Sequence, residues 1–284
     1  MGIKLLITDL DNTLYDWVGF YVPSFLAMVE EIHRISGLPT ETLKKAFKRV
    51  HEKHGTTEYA FAIEELDVLV ALDEGLSVGE KLAKYDSAIH AFRSMRRKLL
   101  RPYPGVKEGL DRLVRSGIRV VAHTDSLSGY VSRRLRQLEL DSFFAAICAP
   151  KDHGVPFGLD AAMLQKADPA STLARCQVLD FPDSFRKPDP RTLDPVFQTF
   201  GVSPAETAYL GDSKTRDVWL ARQAGVLDIW ASYGTAAPSL YGELVQITYW
   251  TKEDLKQDEM LRKQVETIAP SCPLLRSTKP FRCV

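Results

Sequence analysis

The sequence predicts an α/β fold: a parallel sheet with helices on both faces, interrupted after its first strand by an all-helical block. Three observations predict it. Short apolar runs alternate with helix-period segments over most of the chain, the pattern of parallel strands joined by helical crossovers. Residues 17–100 carry helical patterning with no credible strand among them. With 284 residues, 45% hydrophobic and 26% charged, the chain can bury a sizeable core.

The elements follow in order. Ile3 to Thr8 is dense in Leu and Ile and reads as a buried strand. Pro23 to Ser36 places Leu26, Val29, Ile32 and Ile35 on one helical face, and Gly37 stops it. Thr40 to His54, Tyr59 to Leu72 and Val78 to Leu100 continue as helix, and the Pro-rich stretch Arg101 to Gly105 ends the block. Alternation then begins: helix Val106 to Ser116, strand Ile118 to His123, helix Leu127 to Leu138, strand Ala145 to Cys148. Between Pro150 and Arg186 the pattern lapses, with Leu159 to Lys166 helical and Gln177 to Asp180 extended at best. It resumes with helix Arg191 to Phe200, strand Thr207 to Leu210, helix Thr215 to Ala224 and strand Val226 to Trp230. A last strand and helix are expected at Ile247 to Trp250 and Lys252 to Ile268, and an irregular tail from Pro270.

Composition narrows the function classes. Lys plus Arg and Asp plus Glu are 37 each, so no net field argues for a nucleic-acid polymer or a membrane surface. The four cysteines show no zinc spacing and fit a reducing compartment, and no apolar run approaches a membrane span, so a cytoplasmic protein is expected. Oligomeric state is not encoded in any pattern here.

In parallel sheets ligands collect at the carboxyl ends of strands. Three of the expected strand ends carry polar clusters: Asp9 and Asp11 in LLITDLDNTL, Thr124 and Asp125 after IRVVAH, and Asp212 and Ser213 after TAYLG, with Asp217 just beyond. Each alone is compatible with a turn or an N-cap. Capping does not account for paired acids recurring at strand ends.

Asp9-Leu10-Asp11-Asn12-Thr13, Thr124, Lys187 in RKPDP, and the run Gly211 to Asp217 (GDSKTRD) resemble, in order, the four motifs of the haloacid dehalogenase superfamily. The resemblance implies a Rossmann-like catalytic core over residues 1–16 and 101–268, a helical cap over 17–100, an inserted loop over 150–186 and a tail over 269–284. It implies that Asp9 is the nucleophile forming an aspartyl-phosphate, Asp11 the general acid and base, Thr124 a donor to phosphate and Lys187 a fixed positive charge. It also implies Mg²⁺ held by Asp9, Asp11 through its backbone carbonyl, and Asp212, with Asp217, Ser213 and Asp125 in support.

The expected activity is a phosphatase acting on a small phosphorylated substrate. DLDNTLY is similar to the opening of pyrimidine nucleotidases, which makes a nucleoside monophosphate one candidate. Asp11 argues against removal of halide, which needs no second acid. A phosphomutase keeps both acids and stays open, as does a non-enzymatic binding role on the same fold.

The lysine motif stands far from the third strand, and Lys151 and Lys166 lie between; Lys187 is preferred because Pro190 suits a helix start. Phe157, Phe181 and Phe185 are placed in a loop that folds over the site or meets another subunit. His51 and His54 read as a solvated helix face rather than a metal pair, and His123 as core. Arg93 to Arg101 reads as an amphipathic surface, and Trp17, Phe20 and Tyr21 as pocket mouth or cap core.

Overall fold

A computed structural model describes residues 2–150, 176–182, 185–234, 238–265 and 269–274. Its strands are β1 (Leu5–Thr8), β2 (Arg119–His123), β3 (Ala146–Pro150), β4 (Gln177–Phe181), β5 (Thr207–Gly211), β6 (Leu227–Ala231) and β7 (Cys272–Leu274). The helices, in chain order, are α1 (Trp17–Ser36), α2 (Thr40–His54), α3 (Asp67–Leu72), α4 (Val78–Lys84), α5 (Asp86–Leu99), α6 (Val106–Arg115), α7 (Ser128–Gln137), α8 (Asp194–Phe200), α9 (Trp219–Gln223), α10 (Pro238–Ile247) and α11 (Lys252–Val265).

All seven strands run parallel in the order β4-β3-β2-β1-β5-β6-β7. β1 is buried throughout because both sheet faces are covered. On one face Leu5, Ile7, Val121, Cys148 and Tyr209 pack with Val196 of α8 and Leu220 and Ala221 of α9. Period-two alternation turns Leu6, Val120, Ala122 and Leu210 to the other face, where α6 meets β2 and α7 meets β3. The winding reverses at β1, which lies between β2 and β5. That reversal opens a crevice at the strand ends. Thr8 is level with Ala122 and Leu210, so the chains leave the sheet in register and Asp9, His123 and Gly211 form the next row.

The chain divides into two compact units, one of Met1–Tyr15, Arg101–Thr235 and Leu261–Val284, the other of Asp16–Leu100 and Ala236–Met260. The core was expected to run unbroken from 101 to 268; residues 236–260 instead group with the helices of 16–100. Side chains of α2 explain why. Lys44 pairs with Glu243 at 3.0 Å, Lys48 Nζ donates to the carbonyls of Thr248 and Trp250 at 3.0 Å each, and His51 Nδ1 bonds the carbonyl of Ile247. His51, and Lys48 through the Val245 carbonyl at 3.4 Å, satisfy bare C-terminal carbonyls of α10, and Lys48 ties down the chain just beyond it.

The expected strand Ile247 to Trp250 is therefore absent. Ile247 closes α10, and its apolar run is buried against helices rather than strands. The seventh strand comes from the expected tail: Cys272–Leu274 pairs with Ile229 to Ala231. His51 is likewise buried rather than solvated, against Phe25 and Phe47, while His54 stacks on Tyr59 and bonds Glu65 at 2.8 Å.

Within the helical unit α1 begins at Trp17, earlier than expected, because Asp16 caps it by accepting from Gly19 N at 2.7 Å. Pro23 sits inside the helix, and Gly37 ends it at φ 74°. Phe20 and Tyr21 are buried there, and Trp17 stacks on Tyr21 with centroids 4.7 Å apart. The expected helix Tyr59 to Leu72 is helical only from Asp67, and Val78 to Leu100 breaks at Tyr85 into α4 and α5. No described helix is long and apolar enough to cross a membrane.

Candidate active site

Asp9 continues β1 by one residue, its N–H donating to the carbonyl of Leu210 at 2.8 Å. The chain then turns sharply. Asn12 takes a left-handed φ of 61° and donates its N–H to Tyr15 at 2.8 Å. The turn aims Asp9 into the crevice, where Lys187 Nζ donates to Oδ1 and Thr13 Oγ1 donates to Oδ2 at 2.9 Å. Asp11 lies higher and is partly exposed. Its Oδ2 accepts from Ser126 Oγ at 2.7 Å, and Arg134 Nη2 stands 3.7 Å from its Oδ1.

The β2 end supplies Thr124, which is buried and accepts the N–H of Ser126 at 3.0 Å. Its own hydroxyl proton has no acceptor among the described residues. Asp125 faces sideways, accepting from the backbone N–H of Lys187 at 3.3 Å and from Arg216 at 2.7 Å. The β5 end supplies Asp212 and then a π-helical turn, Lys214–Val218, that Ser213 caps by accepting the N–H of Arg216 at 3.2 Å. This wide turn brings Asp217 back under Gly211, at a distance no Cβ at residue 211 would tolerate. Asp217 accepts from Lys187 Nζ at 2.9 Å, Tyr209 OH at 3.3 Å and Ser213 N at 3.0 Å, so both its oxygens are engaged.

Asp9, Asp212 and Asp217 each offer an oxygen within 4.8 Å of the others. Against these three carboxylates stands the ammonium of Lys187. Burial raises Asp9 above the ordinary carboxylate range, Lys187 opposes this, and Asp217 and Asp11 add to it. Burial and the charge of Asp9 push Asp212 well up. Burial works against the charge of Lys187, yet Asp217 and Asp9 hold it protonated far above its usual value. Excess carboxylate in a buried, all-oxygen setting suits a hard divalent cation. Asp9 accepts two hydrogen bonds and keeps lone pairs for a cation, whereas Asp217 already accepts three, from Lys187, Tyr209 and Ser213.

The structure thus brings Asp9, Asp11, Thr124, Asp125, Lys187, Asp212, Ser213 and Asp217 to one crevice. Lys151, Lys166 and Phe157 lie outside the described residues. Phe181 is buried in β4, inside what was expected to be a loop, and Phe185 lies under the Arg191 guanidinium at 4.1 Å. His123 is buried as expected and also bonds Tyr209 OH at 2.8 Å, with burial keeping its imidazole neutral.

Several residues escaped sequence reasoning. Ser126 and Arg134 follow Thr124 in one connection but carry no motif. The β6 end forms a fourth wall: Trp230 Nε1 donates to the carbonyl of Asp212 at 2.9 Å and Tyr233 OH to that of Thr13 at 2.9 Å. Gly234 sits so close to Asn12 O and Asp212 Cβ that a side chain there has no space. A glycine just past a strand end was the available signal. Here too the core chain leaves and returns: Tyr15 bridges Pro102, Tyr103 donates to Leu14 O at 2.8 Å, and the Tyr103 and Tyr233 rings meet edge-on at 5.3 Å.

Residues 3–225 match the haloacid dehalogenase-like hydrolase family. The chain is 22% identical over 241 residues to a glyceraldehyde 3-phosphate phosphatase of Pyrococcus furiosus, covering 83% of each chain. It is 26% identical over 233 residues to a phosphoglycolate phosphatase of Pseudomonas putida, covering 81% of this chain and 70% of that one. A crystal structure of a 2-haloacid dehalogenase from Pseudomonas syringae superposes with a TM-score of 0.52 at 20% identity, covering 83% of this chain and 90% of that one. At that identity the likeness is one of fold.

Proposed function

Since this chain belongs to the haloacid dehalogenase-like hydrolase family, we propose that it is a Mg²⁺-dependent phosphatase that hydrolyses a small phosphorylated metabolite through an aspartyl-phosphate on Asp9. The observation that carries this reading is the meeting of Asp9, Asp11, Thr124, Lys187 and Asp212 at the strand ends, with Lys187 bonded to Asp9.

The Asp9 carboxylate attacks phosphorus, and the bond from phosphorus to the ester oxygen breaks. Asp11 gives the departing alkoxide a proton. It then takes one from the water that attacks the aspartyl-phosphate, which releases phosphate and restores Asp9. Lys187 fixes a positive charge beside the nucleophile, and Thr124 donates its uncommitted hydroxyl proton to a phosphate oxygen. Asp9, the backbone carbonyl of Asp11, and Asp212 would hold the cation, with Asp217 supporting through Lys187. Bound there, Mg²⁺ supplies charge neutralisation for the phosphoryl oxygens. The helical unit serves as a cap that reads the leaving group.

The names of the relatives favour a small phosphate ester such as phosphoglycolate or glyceraldehyde 3-phosphate. A nucleoside monophosphate is the second reading, resting on Asp9 to Tyr15. Phosphate release from a panel holding all three, with Mg²⁺ and with chelator, decides among them. Multiple-turnover release is expected. An isomerised product without release would instead indicate a mutase, and ligand binding without turnover a binding protein.

A further inference from the structure

Arg134 has no part in the chemistry assigned above, yet it is among the most buried charges in the catalytic core, 3% exposed on the inner side of α7. A guanidinium stays charged at any working pH, and sinking it without a carboxylate costs several kcal/mol. It faces the carboxylate of Asp11 at 3.7 Å, and its guanidinium carbon lies 5.8 Å from the centre of the Tyr15 ring, at the other end of the same turn.

The two oxygens of Asp11 are treated differently. Oδ2 is fixed by the Ser126 hydroxyl, while Oδ1 accepts no hydrogen bond among the described residues. Arg134 is near enough to Oδ1 to attract it and too far to take its lone pair. The carboxylate is thereby held in one rotamer, with Oδ1 buried on the side of Arg134. Ser126 and Arg134 arrive on the same connection as Thr124, so the segment that carries the expected phosphate donor also sets the proton-transfer group.

Resting on the phosphatase reading, we propose that Arg134 is a positioning residue that holds the Asp11 carboxylate, through its inward oxygen, in the rotamer that transfers a proton to the leaving oxygen. Removing it disorders the proton transfer and leaves attack by Asp9 intact. The loss then depends on how much the leaving group needs a proton. A merely structural role would slow all substrates alike.

The test uses the full chain with Mg²⁺, comparing p-nitrophenyl phosphate with the alkyl phosphate best hydrolysed in the panel, for Arg134→Gln, Arg134→Lys, Asp11→Asn and the double variant Asp11→Asn with Arg134→Gln. Circular dichroism checks each fold. Arg134→Gln is expected to lose about 10²-fold in kcat on the alkyl ester and only a few-fold on the aryl ester, the lower end of what a proton-transfer group supplies. Arg134→Lys should recover part of the alkyl loss, and adding Arg134→Gln to Asp11→Asn should cost nothing more. Equal losses of Arg134→Gln on both esters, beside leaving-group-dependent losses of Asp11→Asn, overturn the inference and spare the phosphatase reading. Equal losses for Asp11→Asn itself overturn the role of Asp11 and the inference with it. Should Arg134→Gln not fold, Arg134→Lys carries the comparison, and equal losses there count against the inference in the same way.

Discussion

Lys187 Nζ donates to Oδ1 of Asp9 and, at 2.9 Å, to Oδ1 of Asp217, tying the end of β1 to the turn after β5 through one buried ammonium. Removing a partner from a buried ionic cluster strands the others. We expect Lys187→Met to abolish turnover and to destabilise the chain by about 3–5 kcal/mol in urea unfolding. Asp217→Asn added to Lys187→Met should return part of that stability but no activity. Additive losses would mean that the lysine and Asp217 are not coupled as the geometry has them.

Asp9→Asn keeps the volume of the side chain and removes the nucleophile. Turnover should fall to background with the circular dichroism spectrum unchanged. Near-normal activity in that variant rules out covalent catalysis at Asp9.

Three carboxylates around one ammonium leave the site with charge that a cation would neutralise. Mg²⁺ should raise the unfolding free energy, by about 2.7 kcal/mol when present at a hundred times its Kd. Chelation should stop the reaction. Asp212→Asn should shift the Mg²⁺ concentration for half-maximal activity upward, and an unchanged midpoint removes Asp212 from the ligand set.

Gly234→Ala adds one carbon against Asn12 O and Asp212 Cβ. Either the β6 end or the Asp9 turn must move, and a displacement on the order of 1 Å at a reacting group costs about 10²-fold. A folded Gly234→Ala variant with full kcat places this wall outside the working site.

His51 supplies a pH signature away from the crevice. Burial, only partly offset by its bond to the Ile247 carbonyl, lowers its pKa from 6.5 to about 4. The folded state therefore keeps a neutral ring while the unfolded chain takes up a proton. Its contribution is complete above the unfolded value of 6.5 and drains away as pH falls toward about 4. The loss is on the order of 3 kcal/mol over that window. His51→Gln should flatten the stability profile between those limits, and an unchanged slope would falsify the assignment.

How much of this was legible in the sequence depends on whether a residue announces its own environment. β1, β2 and β5 did so, because buried parallel strands are apolar runs and their ends are marked by Asp9, Thr124 and Asp212. Cys272–Leu274 did not: three residues make a strand only because β6 offers an edge. Ile247 to Trp250 has the composition of a strand, but the α2 side chains Lys48 and His51, about two hundred positions earlier, settle it as a helix end. Arg134 and Gly234 were invisible for the same reason, their meaning being set by Asp11 and Asn12 across the fold.

β1 is the first strand of the sheet to be made. It lies between β2 and β5, so on a growing chain its β5-facing backbone groups stay unpaired until Thr207 to Gly211 emerge. The helical unit waits longer still, since Lys48 and His51 of α2 lack their bonds to Ile247, Thr248 and Trp250 until those residues appear. Neither unit can close from its N-terminal part alone. Messages truncated before about residue 206 or residue 250 should therefore yield chains with an open strand edge or an unfinished helical core, the species that chaperones and proteases act on.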